Sequence, residues 1–445
     1  MNASAERFDE RFDHRSLRPP GQVIELARTL QDAGFATWCV GGAVRDALLG
    51  LAHLDWDLAT AATPAEVRKT FRRTIPVGIE FGTVGVLDQH GVMHEVTTFR
   101  RDVRTDGRHA VVEFGASLDE DLARRDFTIN AIAYDPIAKV LHDPFRGRED
   151  LAAGIVRAVG VPDDRMREDR LRALRAIRFA SRFGFDIEDE TWAAIVASAP
   201  HLTRLSPERV KQELDKTMEQ VAHPSQAFRR WRDSAAFAAL VPALRAVSDT
   251  TLASVDRLPR PGLATRPLRR MLRTAALFSA LDGKTAEQAL RALRASNQEI
   301  TVVGTLVDRW QRFGDALTAT LTTGKLPDDP ALRRVAAEIG RLRVNAFLRL
   351  GAAHWSGNPH IPPALVRALF RRLMRIAFRD PIEIADLAVD GDDLRQHGIS
   401  AGPALGRTLQ MLRQAVIEDP ARNTRDVLLE MARTATTDAN GAPAR

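Results

Sequence analysis

The texture of the chain changes once along its length, and that change limits the folds open to it. From about Ala36 to Gly160, short apolar and β-branched runs (Thr37–Val40, Gly82–Leu87, Val92–Thr98, Val111–Phe114) alternate with helical stretches and Gly or Asp turns. After about Pro162 the strand signals stop. Apolar residues then recur at three- and four-residue spacing, as in Pro207–Gln220 and Thr285–Leu293. This pattern predicts a small α/β head followed by a long all-helical region. A polar arm ends at Pro19-Pro20, and a first helix is expected from near Gln22. Proline-rich breaks near 242, 259–261, 327–330 and 359–363 divide the helical part, and the last ten residues read as a frayed tail.

At 445 residues the chain exceeds one ordinary core, and 44% hydrophobic with 27% charged residues is the profile of a soluble globular protein. No apolar run approaches bilayer length, and Glu6, Asp9, Glu10 and Asp13 among the first arginines do not make a secretory signal, so a cytoplasmic protein is expected. The single cysteine, Cys39, excludes an internal disulfide and a cysteine-cluster metal site, and is expected to be buried and reduced. A net charge of +6, strongly arginine in character, suits bidentate phosphate contact, although many basic proteins bind nothing anionic. The histidines are scattered, and His142 beside Asp143 lacks further ligands at metal-like spacing, so no added metal-dependent phosphohydrolase domain is expected.

Val40-Gly41-Gly42-Ala43-Val44-Arg45-Asp46 follows an expected strand and opens a short helix. Two glycines there let the backbone approach a ligand, and the first helical N–H groups face any anion present. That describes a phosphate cradle which Arg45, one turn in, is placed to reinforce; alone, the same residues also make a plain tight turn. In Leu54-Asp55-Trp56-Asp57-Leu58, strand alternation puts the carboxylates of Asp55 and Asp57 together on one face. Such charges repel unless a cation lies between them. Magnesium (Mg2+), which takes carboxylate oxygens and keeps positions for phosphate oxygens, is the natural occupant. Glu95, in Met93-His94-Glu95-Val96-Thr97, is placed to add a third carboxylate from a neighbouring strand and so complete a two-metal catalytic site. The plain alternatives are a surface aspartate pair and an ordinary exposed strand glutamate.

These segments precede Arg124-Arg125-Asp126-Phe127-Thr128-Ile129-Asn130-Ala131, then Asp143-Pro144-Phe145-Arg146-Gly147, then Glu168-Asp169-Arg170-Leu171-Arg172-Ala173-Leu174-Arg175-Ala176-Ile177-Arg178-Phe179. In this order they resemble the class II CCA-adding tRNA nucleotidyltransferases and bacterial poly(A) polymerases over about residues 36–220. Leu387-Ala388-Val389-Asp390-Gly391-Asp392-Asp393-Leu394, with Gly398-Ile399 and Gly402-Pro403, is similar to the tail segment of many CCA-adding enzymes, whereas residues 225–375 carry no nameable motif. The resemblance implies a polymerase-β-like nucleotidyltransferase head at 21–160 after an arm at 1–20. It also implies a nucleotide-selecting helical neck at 161–225, a body at 226–350 and a tRNA-binding tail at 351–445. It assigns Gly42 and Arg45 to the triphosphate, Asp55 and Asp57 to magnesium, and Arg125 to the incoming nucleotide. Asp169 and Arg172 would select the nucleotide, with Arg175 and Arg178 supporting them or the phosphates. The implied substrates are CTP, ATP and the tRNA 3′ end; no membrane or protein partner is expected.

Read physically, Asp169, Arg172, Arg175 and Arg178 form one i, i+3 ridge of a helix, and Leu171, Leu174 and Ile177 form a second, apolar one. Each three-residue step turns back by about 60°, so Asp169 and Arg178 cannot serve the same small group. An Asp–Arg pair sets an acceptor beside a donor. Cytosine and adenine each present an amino donor beside a ring-nitrogen acceptor. Uracil and guanine present the opposite polarity and would leave buried groups unpaired, at about 1–3 kcal/mol each. The bland alternative is a solvated arginine-rich helix with an intrahelical Asp169–Arg172 pair. Arg100–Leu122, containing Asp106-Gly107-Arg108, reads as a long loop. In the family such a loop is associated with the change to A addition. The rivals are a poly(A) polymerase or A-adding enzyme, and, in another class, an inactive RNA-binding protein.

Overall fold

The computed structural model describes residues 17–52, 55–105, 110–258 and 266–440. Most of the expected N-terminal arm, Leu54, the tip at 106–109 and the proline break at 259–261 lie outside the described residues. The chain forms two compact units that divide between Ala246 and Val247.

The first unit is built on a seven-stranded mixed sheet. Its strands are β1 (Thr37–Val40), β2 (Asp57–Thr60), β3 (Thr74–Gly78), β4 (Thr83–Leu87), β5 (Met93–Thr98), β8 (Ala133–Asp135) and β9 (Val140–His142). They lie in the order β3-β4-β5-β2-β1-β8-β9, and β2 with β5 is a parallel pair among antiparallel neighbours. The expected strands at Thr37–Val40, Gly82–Leu87 and Val92–Thr98 are all present; β5 alternates exposed and buried side chains, whereas the central residues of β4, Val84, Gly85 and Val86, are all buried. Helix Gly21–Asp32 packs on β1 and β2, burying Val23, Leu26, Ala27 and Leu30, an i, i+3, i+4, i+7 stripe. Cys39 is buried within β1.

Two expectations are corrected. Arg100–Leu122 is not a loop: β6 (Arg100–Thr105) and β7 (Ala110–Phe114) pair as an antiparallel hairpin, followed by helix Leu118–Ala123. The exposed cross-strand pair Arg101–Glu113 (2.9 Å) shows why the sequence is polar there. Strands also continue past Pro162, since β11 (Asp186–Ile187) pairs in parallel with β10 (Ile155–Val156).

The second unit is all-helical among its described residues. Helix Asn297–Thr322 packs on Arg266–Phe278, Gly283–Ala292 and Val344–Trp355. Two of the proline breaks prove to be helix starts: Pro330 stands at the opening of Asp329–Ile339, capped by Asp328, and Pro363 opens Pro363–Arg379. In the tail-like segment, Asp390 caps Gly391–Gln396 reciprocally with Asp393. Helix Arg425–Asn440 runs into the last ten residues, where a frayed end is expected; 441–445 lie outside the described residues. No described helix is long and apolar enough to cross a membrane.

Candidate active site

The register of the sheet puts the glycine turn beside the carboxylates. Val40 pairs with Asp57, so the residues leaving β1 pass next to the start of β2. Gly41 has φ 76° and ψ −137°, a conformation costly for any side chain, and a Cβ there would sit 3.1 Å from Arg125 Nη1 and 3.9 Å from Asp57 Oδ2. Gly41 is thus the residue of the pair at which a side chain would be strained, and Gly42 begins helix Gly42–Leu48. Arg45 is buried, donates to Asp46 and to Asn130, and lies 4.8 Å from the ring centres of both Phe179 and Phe183.

Asp57 opens β2 half-buried, Trp56 is buried behind it, and Asp55 is exposed just before the strand. The alternation across these three residues is as expected, although the strand itself starts only at Asp57. The parallel register of Leu58 with Val96 sets exposed Glu95 next to Asp57. Burial, then repulsion from Asp55 and Glu95, raises the Asp57 carboxyl to about 6 against the attraction of Arg125. Among the described residues Asp57 makes no hydrogen bond or ion pair.

The segment after helix Leu118–Ala123 lines the same cavity. Asp121, buried, accepts from Arg124 at 2.8 Å and from Arg125 at 3.2 Å, which aims both guanidinium groups. Arg125 Nε is buried without a partner among the described residues. Asp126 accepts from the Phe127 N–H, from Asn130 Nδ2 and from Arg175. Burial alone would raise its carboxyl, but Arg175, the Asn130 hydrogen bond and the field of Arg172 outweigh burial and hold it at about 2.

The expected Glu168–Phe179 helix is broken. Helix Pro162–Glu168 ends, Asp169 is extended (φ −147°, ψ 105°), and helix Leu171–Phe183 begins anew. The Asp169 carboxylate accepts from the Leu171 N–H at 3.0 Å and from Arg209 at 2.6 Å, so the break follows from a short acidic side chain bonding the local backbone. No intrahelical Asp169–Arg172 pair forms. Arg172 instead donates to Glu168 and to the carbonyls of Arg165 and Arg124. Leu171, Leu174 and Ile177 form the buried ridge expected of them. Arg178, one step further round, donates to Glu213 at 2.7 Å and Gln220 and lies over Phe179, away from the cavity.

One cavity of about 420 Å³ gathers Gly42, Arg45, Asp57, Arg125, Asp169, Arg172 and Arg175 from the sequence-derived set. Asp55, Glu95 and Arg178 do not line it. Gly41, of the expected glycine turn, lines it too, as do Arg124, Asp126, Asn130 and Phe179, which the sequence patterns gave no role. Their signal was present in the quoted Arg124–Ala131 run, where an arginine pair precedes an aspartate and an asparagine four residues apart. Five arginines face three aspartates around this space, an environment for a polyanion that also carries an acceptor-and-donor edge.

Known proteins match along the same lines. The family model described as the poly A polymerase head domain matches residues 37–157, that of the RNA and SrmB-binding site of polymerase A matches 184–247, and that of tRNA nucleotidyltransferase domain 2 matches 371–432. The CCA-adding enzyme of Latilactobacillus sakei is 35% identical over 93% of this chain and 97% of its own length. That of Geobacillus kaustophilus is 35% identical over 92% of this chain and 96% of its own. The crystal structure of the Bacillus stearothermophilus CCA-adding enzyme in complex with CTP superimposes with a TM-score of 0.72 at 32% identity, covering 95% of this chain and all (100%) of that one. The Thermotoga maritima CCA-adding enzyme complexed with tRNA, at 20% identity and a TM-score of 0.63, shares the fold. With a relative this similar along nearly its whole length, the chain belongs to the CCA-adding enzymes, a family of tRNA nucleotidyltransferases.

Proposed function

We propose that this protein completes tRNA 3′ ends, adding C, C and then A from CTP and ATP without a nucleic acid template, in the cytoplasm. The observation that carries the reading is the cavity in which the carboxylate Asp57, the guanidinium of Arg125 and the acceptor and donor of Asp169 and Arg172 converge.

The residues present fit a divalent cation. Among the described residues no three acidic, histidine or cysteine groups form a closed cage. Asp57 is nevertheless a half-buried carboxylate without a hydrogen bond or ion pair there, next to the like charges of Asp55 and Glu95. Magnesium takes one or two carboxylates and fills its remaining positions with phosphate oxygens and water, so an open set of this kind suits it. Asp55 and Asp57 would hold it, with Glu95 as the third carboxylate of a two-metal arrangement. When bound, magnesium supplies the positive charge that lowers the pKa of the RNA 3′-hydroxyl and neutralises the triphosphate.

The chain's own residues position the rest. Arg125, aimed by Asp121, meets the phosphates, and Gly41-Gly42 lets the backbone come close to them above the positive floor of Arg45. The RNA 3′-oxygen forms a bond to the α-phosphorus in line with the bond to pyrophosphate, which breaks. Arg175 is fixed by Asp126 and adds positive charge, and Arg178 acts as a buried brace. Asp169 uses about two of its roughly four lone-pair sites on Leu171 and Arg209, so acceptors remain for the amino group of cytosine or adenine. Arg172 uses three of its roughly five N–H donors on the protein, leaving donors for the ring nitrogen. Because both groups are held from behind, the edge is rigid and uracil or guanine meets unmatched polarity. The helical segments toward the C-terminus, 351–445, are assigned to gripping the tRNA.

The test is incubation with magnesium and a tRNA ending at the discriminator base, with each triphosphate singly and with CTP and ATP together, followed by sequencing of the 3′ ends. Termination at CCA is expected. An A tract would make the protein a poly(A) polymerase, and absence of extension by folded protein would leave the RNA-binding reading.

A further inference from the structure

The second unit contains a cavity of about 580 Å³ lined in part by Arg257, Trp310, Asp315, His354 and Trp355. It lies in the stretch that carries no sequence motif. Trp310 and His354 stack with ring centres 4.5 Å apart and planes inclined by 17°. Trp355 meets Trp310 at 5.8 Å and is fixed by its N–H, which donates to Thr318 at 2.8 Å. Each indole lies against a helix where the sequence has a glycine. A Cβ on Gly314, one turn after Trp310, would come within 2.8 Å of that ring, and one on Gly351, one turn before Trp355, within 2.5 Å. A glycine inside a helix is less stable than alanine by about 1 kcal/mol, so two of them set against two indoles mark a wall of definite shape. Arg257 lies in the same way against Gly357, where any Cβ would overlap its guanidinium, and it donates to the Ala353 carbonyl at 3.4 Å.

The polar groups of this wall are under-used. His354 Nε2 is buried and has no hydrogen-bond partner among the described residues. Burial, aided by the charge of Arg257, lowers the His354 pKa to about 4, so the ring is neutral at pH 7 and offers a lone pair or an N–H according to its tautomer. Asp315 is exposed and makes no hydrogen bond or ion pair among the described residues. Trp310 and Trp355 are themselves buried and set the shape of the wall, while the unpaired ring nitrogen of His354, a guanidinium donor and a carboxylate acceptor match a flat heteroaromatic group whose edge carries both donors and acceptors. A purely apolar ligand would leave Nε2 unpaired, and a bare phosphate would meet the charge of Asp315.

We propose that the cavity lined by Trp310, His354 and Arg257 binds one unstacked nucleobase, a second nucleobase site distinct from the catalytic cavity. The proposal rests on the function given above for its source, a base splayed from the RNA substrate; a free nucleotide offers the same chemistry.

Two variants test it in the full chain, with thermal melts to show that each is folded. His354→Phe keeps a ring beside Trp310 and removes Nε2, while Asp315→Ala removes an exposed acceptor and supplies the comparison should His354→Phe not fold. Titration calorimetry measures the affinity of each protein for tRNA lacking its CCA end and for each nucleoside monophosphate. With RNA as the source, His354→Phe weakens tRNA binding about tenfold and Asp315→Ala about threefold. With a free nucleotide as the source, the wild type binds one more equivalent of monophosphate than the variants do, at equal tRNA affinity. Equal tRNA affinity and equal stoichiometry in folded variants overturn the proposal. CTP incorporation by the wild type is followed in parallel. Its failure would sink the proposed function and leave the cavity to be judged on the monophosphate arm.

Discussion

In the first unit, the charged side chains around the cavity other than Asp57 are tied to one another, Arg45 to Asp46, Arg125 to Asp121, Arg175 to Asp126, Arg209 to Asp169 and Glu168 to Arg172. In the second unit the cavity wall is aromatic, and His354 Nε2 and Asp315 carry no such partner among the described residues. The two walls suit different ligands. A set of opposed charges, each held from behind, keeps its geometry when a triphosphate arrives and needs no reorganisation. A wall of rings held by packing keeps its shape and leaves an unpaired ring nitrogen and a carboxylate open to a group that carries both donors and acceptors.

If charge pairing holds the first unit together, its largest response comes from breaking the buried pair behind Phe179. Glu213→Ala strands Arg178, and chemical denaturation should show a loss of about 3–5 kcal/mol; a loss under 1 kcal/mol would mean that packing, as in the second unit, is what supports this helix. Next comes chemistry without stability. Asp57→Asn should slow single-turnover incorporation roughly a hundredfold to a thousandfold while tRNA affinity in a filter assay stays the same, and parallel losses in both would remove Asp57 from catalysis.

Acid should separate the two regions. Asp126, held at about 2 in the fold, lies below its ordinary carboxyl value, so its contribution is complete above about pH 4 and is lost as pH falls toward 2. His354, held at about 4, lies below an ordinary histidine, so the unfolded chain takes the proton first and the second unit weakens as pH falls from about 6.5 to 4. Each window is worth about 2–3 kcal/mol. Hydrogen exchange in peptides from each unit should show the second losing protection first, and His354→Phe should abolish that earlier window. The smallest effect is expected at Gly41→Ala. Its positive φ costs about 1–2 kcal/mol, and the displaced Arg125 lowers CTP affinity with little change in fold; unaltered CTP affinity would separate the glycine turn from the phosphates.

The first region was legible because paired charges require fixed neighbours. Asp57, Arg125, Asp169 and Arg172 each belong to a short run whose order carries the resemblance, and the structure places them around one space. What was missed follows from local physics that pattern alone does not encode. Asp169 breaks its helix by accepting the Leu171 N–H, where periodicity reads straight through. Arg178 fits the same ridge as Arg175 but turns onto Glu213, a partner far along the chain. The Arg100–Thr105 strand is so polar that it reads as loop, since its hairpin lies outside the main sheet. In the second region, Arg257, Trp310 and His354 come from three separate segments, and isolated aromatic residues at helical spacing read as ordinary core.

Nucleotide choice by the Asp169 edge is tested most directly by its discrimination among triphosphates. Single-turnover incorporation of each of the four triphosphates onto tRNA lacking its CCA end is compared between the wild type and Asp169→Ala. The wild type is expected to prefer CTP to UTP by about a hundredfold or more, and the variant to lose at least about tenfold of that preference while still extending RNA. An unchanged preference in an active Asp169→Ala protein would contradict nucleotide choice by that edge.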